Sequence, residues 1–398
     1  MIQTNTIDVM RLAIAAALII LFACSKDDEL IPLPIVADCT QIEEPFPAFI
    51  ALPPVGDNGS YDPTLAGDPE TGRVWMVYSR VAGAGGEGQV SSHLAYSDDH
   101  GTTWCYVNEI NVSEKVDVAD LPAEFTSPVS AHWSHEVPSL AFNPNAPADQ
   151  RWMMTWHRYL HVNDGVPGTD DRQFAYGWIA MKSAANPMLL ADANEMKLFS
   201  GLGYYKNLET EQFNNAIKGG TPQIKLHELH PDLSGTVLAT ESGMQVYQNE
   251  LYVTLLKGEL AGNSVVLLKY DASNTWQYVS TLLTPADAQA MDASWTGFSA
   301  TDLFVQDDEM LLIVSPVEVQ YEGLLLFKLD LPSGKLIDLD NNGPDIVWSL
   351  PTTSGTTIFQ TGVGTYDSLS YNSGIIFGDA LSIEPQFRVY ASGYIPGK

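Results

Sequence analysis

Positive charge is scarce in this 398-residue chain. Nineteen Lys and Arg stand against 49 Asp and Glu, a formal net charge of −30. No stretch is basic, which excludes nucleic acid and anionic membrane surfaces as partners, because both are held largely through clustered cations. Cysteine is limited to Cys24, Cys39 and Cys105. The apolar run at 12–22 has only eleven residues and is too short to span a bilayer. Strong amphipathic helices are lacking too; only 192–197 and 284–292 suit short ones. What remains is a chain rich in short runs of Val, Leu, Tyr and Trp between turn residues, the pattern of strands.

The N-terminus reads as a targeting segment. The apolar run follows Arg11 and has the size of a signal-peptide core. It ends in Leu21-Phe22-Ala23-Cys24, which resembles a bacterial lipobox, and Ser25-Lys26-Asp27-Asp28-Glu29 then resembles the export tag of Bacteroidetes-type surface lipoproteins. The resemblance implies a signal peptide over 1–23, lipidation of Cys24, and a tether and linker over 24–44. It also implies a place on the outer face of the outer membrane, with the lipid anchor as the sole membrane contact. The alternative is an ordinary cleaved signal with a chance cysteine. Cys39 and Cys105 are then left to pair in an oxidising compartment or to stay as buried thiols. A bridge between them would constrain the unfolded chain by roughly 4 kcal/mol.

Residues 45–398 read as one all-β domain built from a repeated unit. The first unit runs from Tyr61-Asp62-Pro63-Thr64-Leu65-Ala66 through Arg73–Ser79. The second has Glu136–Phe142, Arg151–His157 and Phe174–Met181; the third has Glu241–Tyr247, Glu250–Leu256, Ser264–Tyr270 and Trp276–Leu282. The fourth has Thr301–Val305, Glu309–Val314, Gly323–Leu329 and Lys335–Leu339. The fifth has Thr365–Tyr371, Gly374–Phe377 and Gln386–Tyr390 and lacks an outer strand, which Phe46–Leu52 can supply. This predicts a β-propeller of four-stranded blades whose ring is closed by an N-terminal strand. Five blades are expected, or six if 108–132 or 187–234 folds as a blade rather than an insertion. A monomer is expected.

Ser97-Asp98-Asp99-His100-Gly101-Thr102-Thr103-Trp104 reads S-x-D-x-G-x-T-W. Gly101 permits a turn that residues with a Cβ resist, Ser97 and Asp99 can bond turn amides, and Trp104 offers apolar surface beneath a hairpin. The segment resembles the Asp-box of sialidases and related propellers, where it staples a hairpin away from the active site.

Chemistry is expected where the innermost strands begin. Asp62, Glu136, Glu241, Asp302 and Asp367 stand there, at comparable places in the repeat, and clustered carboxyls raise one another's pKa. Glycosidic cleavage needs such a pair, one protonated and one ionised. Asp62-Pro63-Thr64-Leu65 resembles the opening Asp-Pro of five-bladed glycoside hydrolases of the arabinanase and xylosidase type. Glu241-Ser242-Gly243 resembles their Glu-Gly-Pro segment, with Ser242 intervening. The resemblance implies Asp62 as general base, Glu241 as general acid, Glu136 as modulator, and inversion at an extracellular poly- or oligosaccharide. A non-catalytic glycan- or protein-binding propeller is the rival. Tyr366-Asp367 resembles a sialidase nucleophile segment, but the few arginines make exo-sialidase activity the weakest of the three readings.

Trp133, His135, Trp156, His157 and Arg158 cluster near Glu136 and are candidates to hold a sugar, with Asp302, Tyr366 and Asp367 beside them. The histidines lack a spacing that forces three ligands together, so no metal site is assigned. No cofactor is called for. Asp338–Gly343 resembles the first half of a calcium loop, yet Ser349 occupies the place of the closing Glu.

Overall fold

The computed structural model describes residues 38–42, 48–52, 58–82, 89–125, 127–165, 172–209, 221–259, 262–271, 275–318, 322–340, 342–351, 375–380 and 387–393. Four sheets are built mainly from antiparallel neighbours in chain order; the exceptions are the parallel pairings of Phe387 with Gly59 and of Phe199 and Ser200 with Ile224 and Lys225. Blade I is Gly59–Gly67, Val74–Ala82, Gln89–Ser97 and Thr103–Asn111. Blade II is Ser130–Phe142, Trp152–Asn163, Arg172–Ala184 and Met196–Ser200. Blade III is Leu238–Tyr247, Glu250–Glu259, Gly262–Tyr270 and Trp276–Leu283. Blade IV is Gly297–Gln306, Glu309–Val317 and Gly323–Asp330, with both Lys335–Leu336 and Ile346–Pro351 pairing its third strand. Blade V holds Ile376–Ala380 and Phe387–Ala391, and Ala48–Ile50 pairs with the latter as its N-terminal outer strand. The protein is an all-β propeller closed by that strand.

The inner and central strands are buried along most of both faces. Val74–Ala82 is buried from Val74 through Ser79, as suits a strand sandwiched between neighbouring blades. The core therefore lies between blades. Trp75, Trp133, Trp152, Trp156 and Trp178 fill the space between blades I and II, and Phe298, Leu312 and Phe327 pack against Leu256 and Leu267 between blades III and IV. Full burial of such a side chain stabilises by about 1.5–3 kcal/mol.

Two insertions carry more order than their sequences suggest. In 108–132, Glu114–Val116 pairs with Ala131–Trp133 and extends the inner side of blade II. In 187–234, Met196–Ser200 is the fourth strand of blade II, so neither stretch is a sixth blade. The helix expected at 192–197 is instead a turn leading into that strand. The one expected at 284–292 forms at Pro285–Met291, where Thr284 and Asp287 make a reciprocal capping box.

The hairpin at 97–104 joins the outer strands of blade I. The Ser97 hydroxyl donates to Asp99 Oδ1 (2.8 Å) and accepts from Gly101 N–H (2.8 Å), while Thr103 N–H donates to Asp99 Oδ1 (2.7 Å). Gly101 sits at φ +82°, and Trp104 is fully buried. Cys39–Gln41, within the segment read as tether, adds a fifth strand to this edge, and a disulfide joins Cys39 to Cys105. The ring closes opposite this edge. Phe387 N–H donates to Asn58 O (2.7 Å), and a Cβ on Gly59 would lie 1.8 Å from Phe387 O, so only glycine fits there.

Candidate functional site

The inner strands of four blades break register at the same place. The slips fall between Tyr61 and Thr64, Glu136 and Ser139, Thr240 and Gly243, and Ser299 and Asp302. Each is a β-bulge whose first residue has left-handed backbone: Asp62 at φ +53°, Val137 at +52°, Glu241 at +46° and Ala300 at +52°. None is glycine, so each holds about 1–3 kcal/mol of local strain. A bulge residue is unpaired in its ladder, which is why prolines at 63 and 138 are tolerated inside inner strands.

The expected equivalence of the acids does not hold. Asp62 and Glu241 share one position, Glu136 stands one residue earlier, and Asp302 two residues later. A bulge inserts a residue, so a carboxylate one place away from it points elsewhere.

The two equivalent acids do the same job for the next blade. Asp62 Oδ2 accepts the bulge amide of Val137 (3.2 Å), which also donates to Ser79 Oγ (3.0 Å). Glu241 Oε2 accepts the bulge amide of Ala300 (2.5 Å) and the Ser299 hydroxyl (2.6 Å). Between blades II and III the link is Ser139, whose hydroxyl accepts from Met244 N–H (2.9 Å) and donates to Asp302 Oδ1 (3.4 Å). Asp302 is buried, and burial holds its carboxyl well above the usual carboxylate range. Gly243 lies against it: a Cβ there would be 2.4 Å from the Asp302 Cα. Ser242, the departure from Glu-Gly-Pro, donates to Thr155 Oγ1 (3.0 Å).

Glu136 is the hub of a polar cluster. Tyr61 Oη donates to its Oε1 (2.6 Å), Tyr159 also reaches it, and Arg172 Nη1 lies 3.8 Å away. Glu241 keeps part of its surface open, yet its carboxylate sits deep enough for burial to dominate its acidity. Burial raises its pKa, the Ser299 and Ala300 donors oppose that, the Glu136 charge adds to it, and Arg172 again opposes; the net direction is up. Glu136 and Glu241 thus feel each other between the inner strands of neighbouring blades II and III. Asp62 acts on Tyr61, whose hydroxyl is held neutral first by burial and then by the charges of Glu136 and Asp62. Glu136 is thus coupled to Glu241, and Asp62 meets Glu136 through their common neighbour Tyr61.

The aromatic and histidine candidates lie elsewhere. Trp156 is 0% exposed and donates its indole N–H to His135 Nδ1 (3.0 Å). Trp133, 5% exposed, packs against Trp178 beneath Arg158. Neither offers a free face to a sugar. His135 and His157 are buried, which pushes both well down, His157 to about 3, so both are neutral core groups. Arg158 bonds Glu114 and Glu195. These five are corrected from sugar-holding to packing residues of blade II. Trp133 and His135 alternate onto one face of Ser130–Phe142, and Trp156 and Arg158 onto one face of Trp152–Asn163, whereas His157 on the opposite face packs against Tyr159 and Phe174. Asp302 is likewise an interblade link. Tyr366, Asp367 and Cys24 lie outside the described residues.

Tyr61, Arg172 and Ser299 are site members that sequence reasoning did not single out. Only Tyr61, next to Asp62, carried a positional signal. The arginines are dispersed: Arg73 pairs with Asp98, Arg151 with Glu70, Arg158 with Glu114 and Glu195, and Arg172 with Glu136, so a three-arginine clamp is absent among the described residues. In the loop at 338–343, Asp340 Oδ1 accepts from Asn342 N–H (2.9 Å) and Asp338 Oδ2 from Gly343 N–H (3.3 Å), the bonds of a turn.

No protein-family model matches the chain, and no curated protein matches it. Solved structures resemble it in fold. BT0996, solved as an RGII complex, is 10% identical with a TM-score of 0.51, over 88% of this chain and 91% of that one. The Bombyx mori GH32 β-fructofuranosidase BmSUC1 is 11% identical with a TM-score of 0.47; the match covers 86% of this chain but spans only 60% of that enzyme's length. An endo-arabinase from Bacteroides thetaiotaomicron is 11% identical with a TM-score of 0.43, over 85% and 95% of the two chains. At 10% identity the likeness to BT0996 is one of fold.

Proposed function

We propose that the protein is a glycoside hydrolase acting on extracellular glycans, with Glu241 as proton donor, Asp62 as base toward water and Glu136 as the charge that tunes the donor. One observation carries this reading: Glu241 is a partly open carboxyl that burial and the neighbouring Glu136 push toward its protonated form. Glycosidic cleavage requires one carboxyl that holds a proton and a second that acts as base, and in this reading Asp62 is the second. Arg172, facing Glu136 at 3.8 Å, places a positive charge beside the two acids. The test is hydrolysis of a polysaccharide panel by wild type, Glu241→Gln and Asp62→Asn. Loss of roughly 10²–10⁴-fold in each variant is expected. Full activity in Glu241→Gln would discard the donor.

A second reading, a binding propeller, is favoured by a different observation. Asp62 is 0% exposed and its Oδ2 is occupied by the Val137 amide, as a structural link requires. Binding without turnover across the panel would select it. The N-terminal reading belongs to the same proposal: Cys24 carries a lipid that holds the propeller at the cell surface. Incorporation of labelled palmitate that persists in Cys24→Ser would refute it.

A further inference from the structure

A groove of about 970 Å³ lies between blades II and III. The turns that follow the inner strands, 143–150 after Ser130–Phe142 and Asn249 after Leu238–Tyr247, form one end of it, and outer-strand residues such as Met196 and Trp276 form the rest. Glu136 precedes Phe142 by six residues of strand, so the groove opens roughly 20 Å from the acid cluster, at the other end of the ring. Asn145 Nδ2 donates to Asn249 Oδ1 (2.8 Å) and ties the two blades together at its end.

The lining has one chemical character. Trp276 is set edge-on to Phe199 (4.7 Å) and tilted against Tyr270 (5.1 Å), which fixes the plane of its ring. Met196, 39% exposed, extends the apolar surface. Gln150 and Gln223 are exposed amides on the rim, each able to donate and accept. Among the described residues the single charged lining group, Asp271, is occupied by its own turn: it accepts from Thr275 N–H (3.1 Å), the Thr275 hydroxyl (3.0 Å) and Gln277 Nε2 (2.5 Å). The groove therefore offers an aromatic plane, an apolar floor and uncharged amides, with no cation among its described lining residues to hold an anion.

We propose that this groove binds a neutral oligosaccharide. Pyranose and furanose rings present C–H faces to an aromatic plane and hydroxyls to amides. The volume is at the upper end of small-ligand sites, about 300–1,000 Å³, and admits several sugar units. Uronic-acid polymers are disfavoured by the −30 charge and by a described lining without Lys or Arg. Binding here is independent of hydrolysis at the mouth.

Isothermal titration of the full chain with neutral hexasaccharides (cellohexaose, xylohexaose, arabinohexaose, mannohexaose) and with hexagalacturonate tests it. At least one neutral hexasaccharide is expected to bind, equally well in wild type and Glu241→Gln. The double change Gln150→Ala and Gln223→Ala, at exposed positions that leave Tm unchanged, is expected to weaken binding tenfold or more, and Trp276→Ala to abolish it. The proposal is overturned if no neutral hexasaccharide binds, if hexagalacturonate binds more tightly, or if the glutamine double is silent while Glu136→Gln removes binding. Loss of hydrolysis with binding retained would count against the mouth alone.

Discussion

Asp62 and Glu241 occupy the same position two blades apart. Both are the first residue of an inner-strand bulge, both have left-handed backbone, and both accept the bulge amide of the following blade. They differ in what surrounds the carboxyl. Asp62 is fully enclosed, and the amide it accepts is shared with Ser79. Glu241, one methylene longer, reaches Ser299 and Ala300 while keeping part of its surface open, and it feels Glu136 and Arg172. The same interblade link therefore encloses the carboxyl at one position and leaves a partly open, proton-bearing one at the other.

Activity separates the two most strongly. If hydrolysis is lost in Glu241→Gln but kept within tenfold in Asp62→Asn, Asp62 is a link only and the proposed base is wrong. Stability comes next. Asp62→Ala leaves the Val137 amide to Ser79 alone and puts alanine at φ +53°, so a loss of about 1–3 kcal/mol is expected from chemical denaturation, with Asp62→Asn milder because asparagine tolerates that backbone.

The pH profile gives a subtler contrast. Glu136 raises the Glu241 pKa and Arg172 lowers it. The alkaline limb of activity, where the donor loses its proton, is expected to move to lower pH in Glu136→Gln and to higher pH in Arg172→Gln. Limbs moving together would break the assignment. Because the folded pKa of Glu241 is raised, its stabilising contribution is complete below the unfolded value of about 4.3 and is lost as pH rises through the folded value; Glu241→Gln should flatten that decline. The smallest effect belongs to Ala300→Gly. Glycine relieves a left-handed alanine but adds unfolded-state freedom, so stability should hold or rise by up to about 1 kcal/mol, whereas the same change at Ala95, buried mid-strand, should destabilise.

Several features of the fold were legible because strand periodicity and turn residues are local. The inner strand carrying Asp62, the outer hairpin at 97–104 and the closing strand near Phe46–Leu52 all follow from apolar runs and their spacing. Met196–Ser200 was hidden inside what read as an insertion, since a five-residue edge strand after a turn has little periodicity. The aromatics of blade II misled for a related reason. Trp133 and Trp156 are near Glu136 along the strands, where its cross-strand partner is His157, but which face of a strand meets the neighbouring blade depends on how the blades pack together.

The amino-acid sequence alone determined the strand segments, their grouping into blades and the residue types available at the mouth, because these depend on short-range pattern. Only the tertiary structure decided that four bulges share one position, that Asp62 and Glu241 are equivalent while Glu136 and Asp302 are not, and that Glu136 lies near enough to Glu241 to raise its pKa. A one-residue bulge leaves no mark on composition or period, and Coulomb coupling depends on distances between blades that are about 75 to 105 residues apart in the chain.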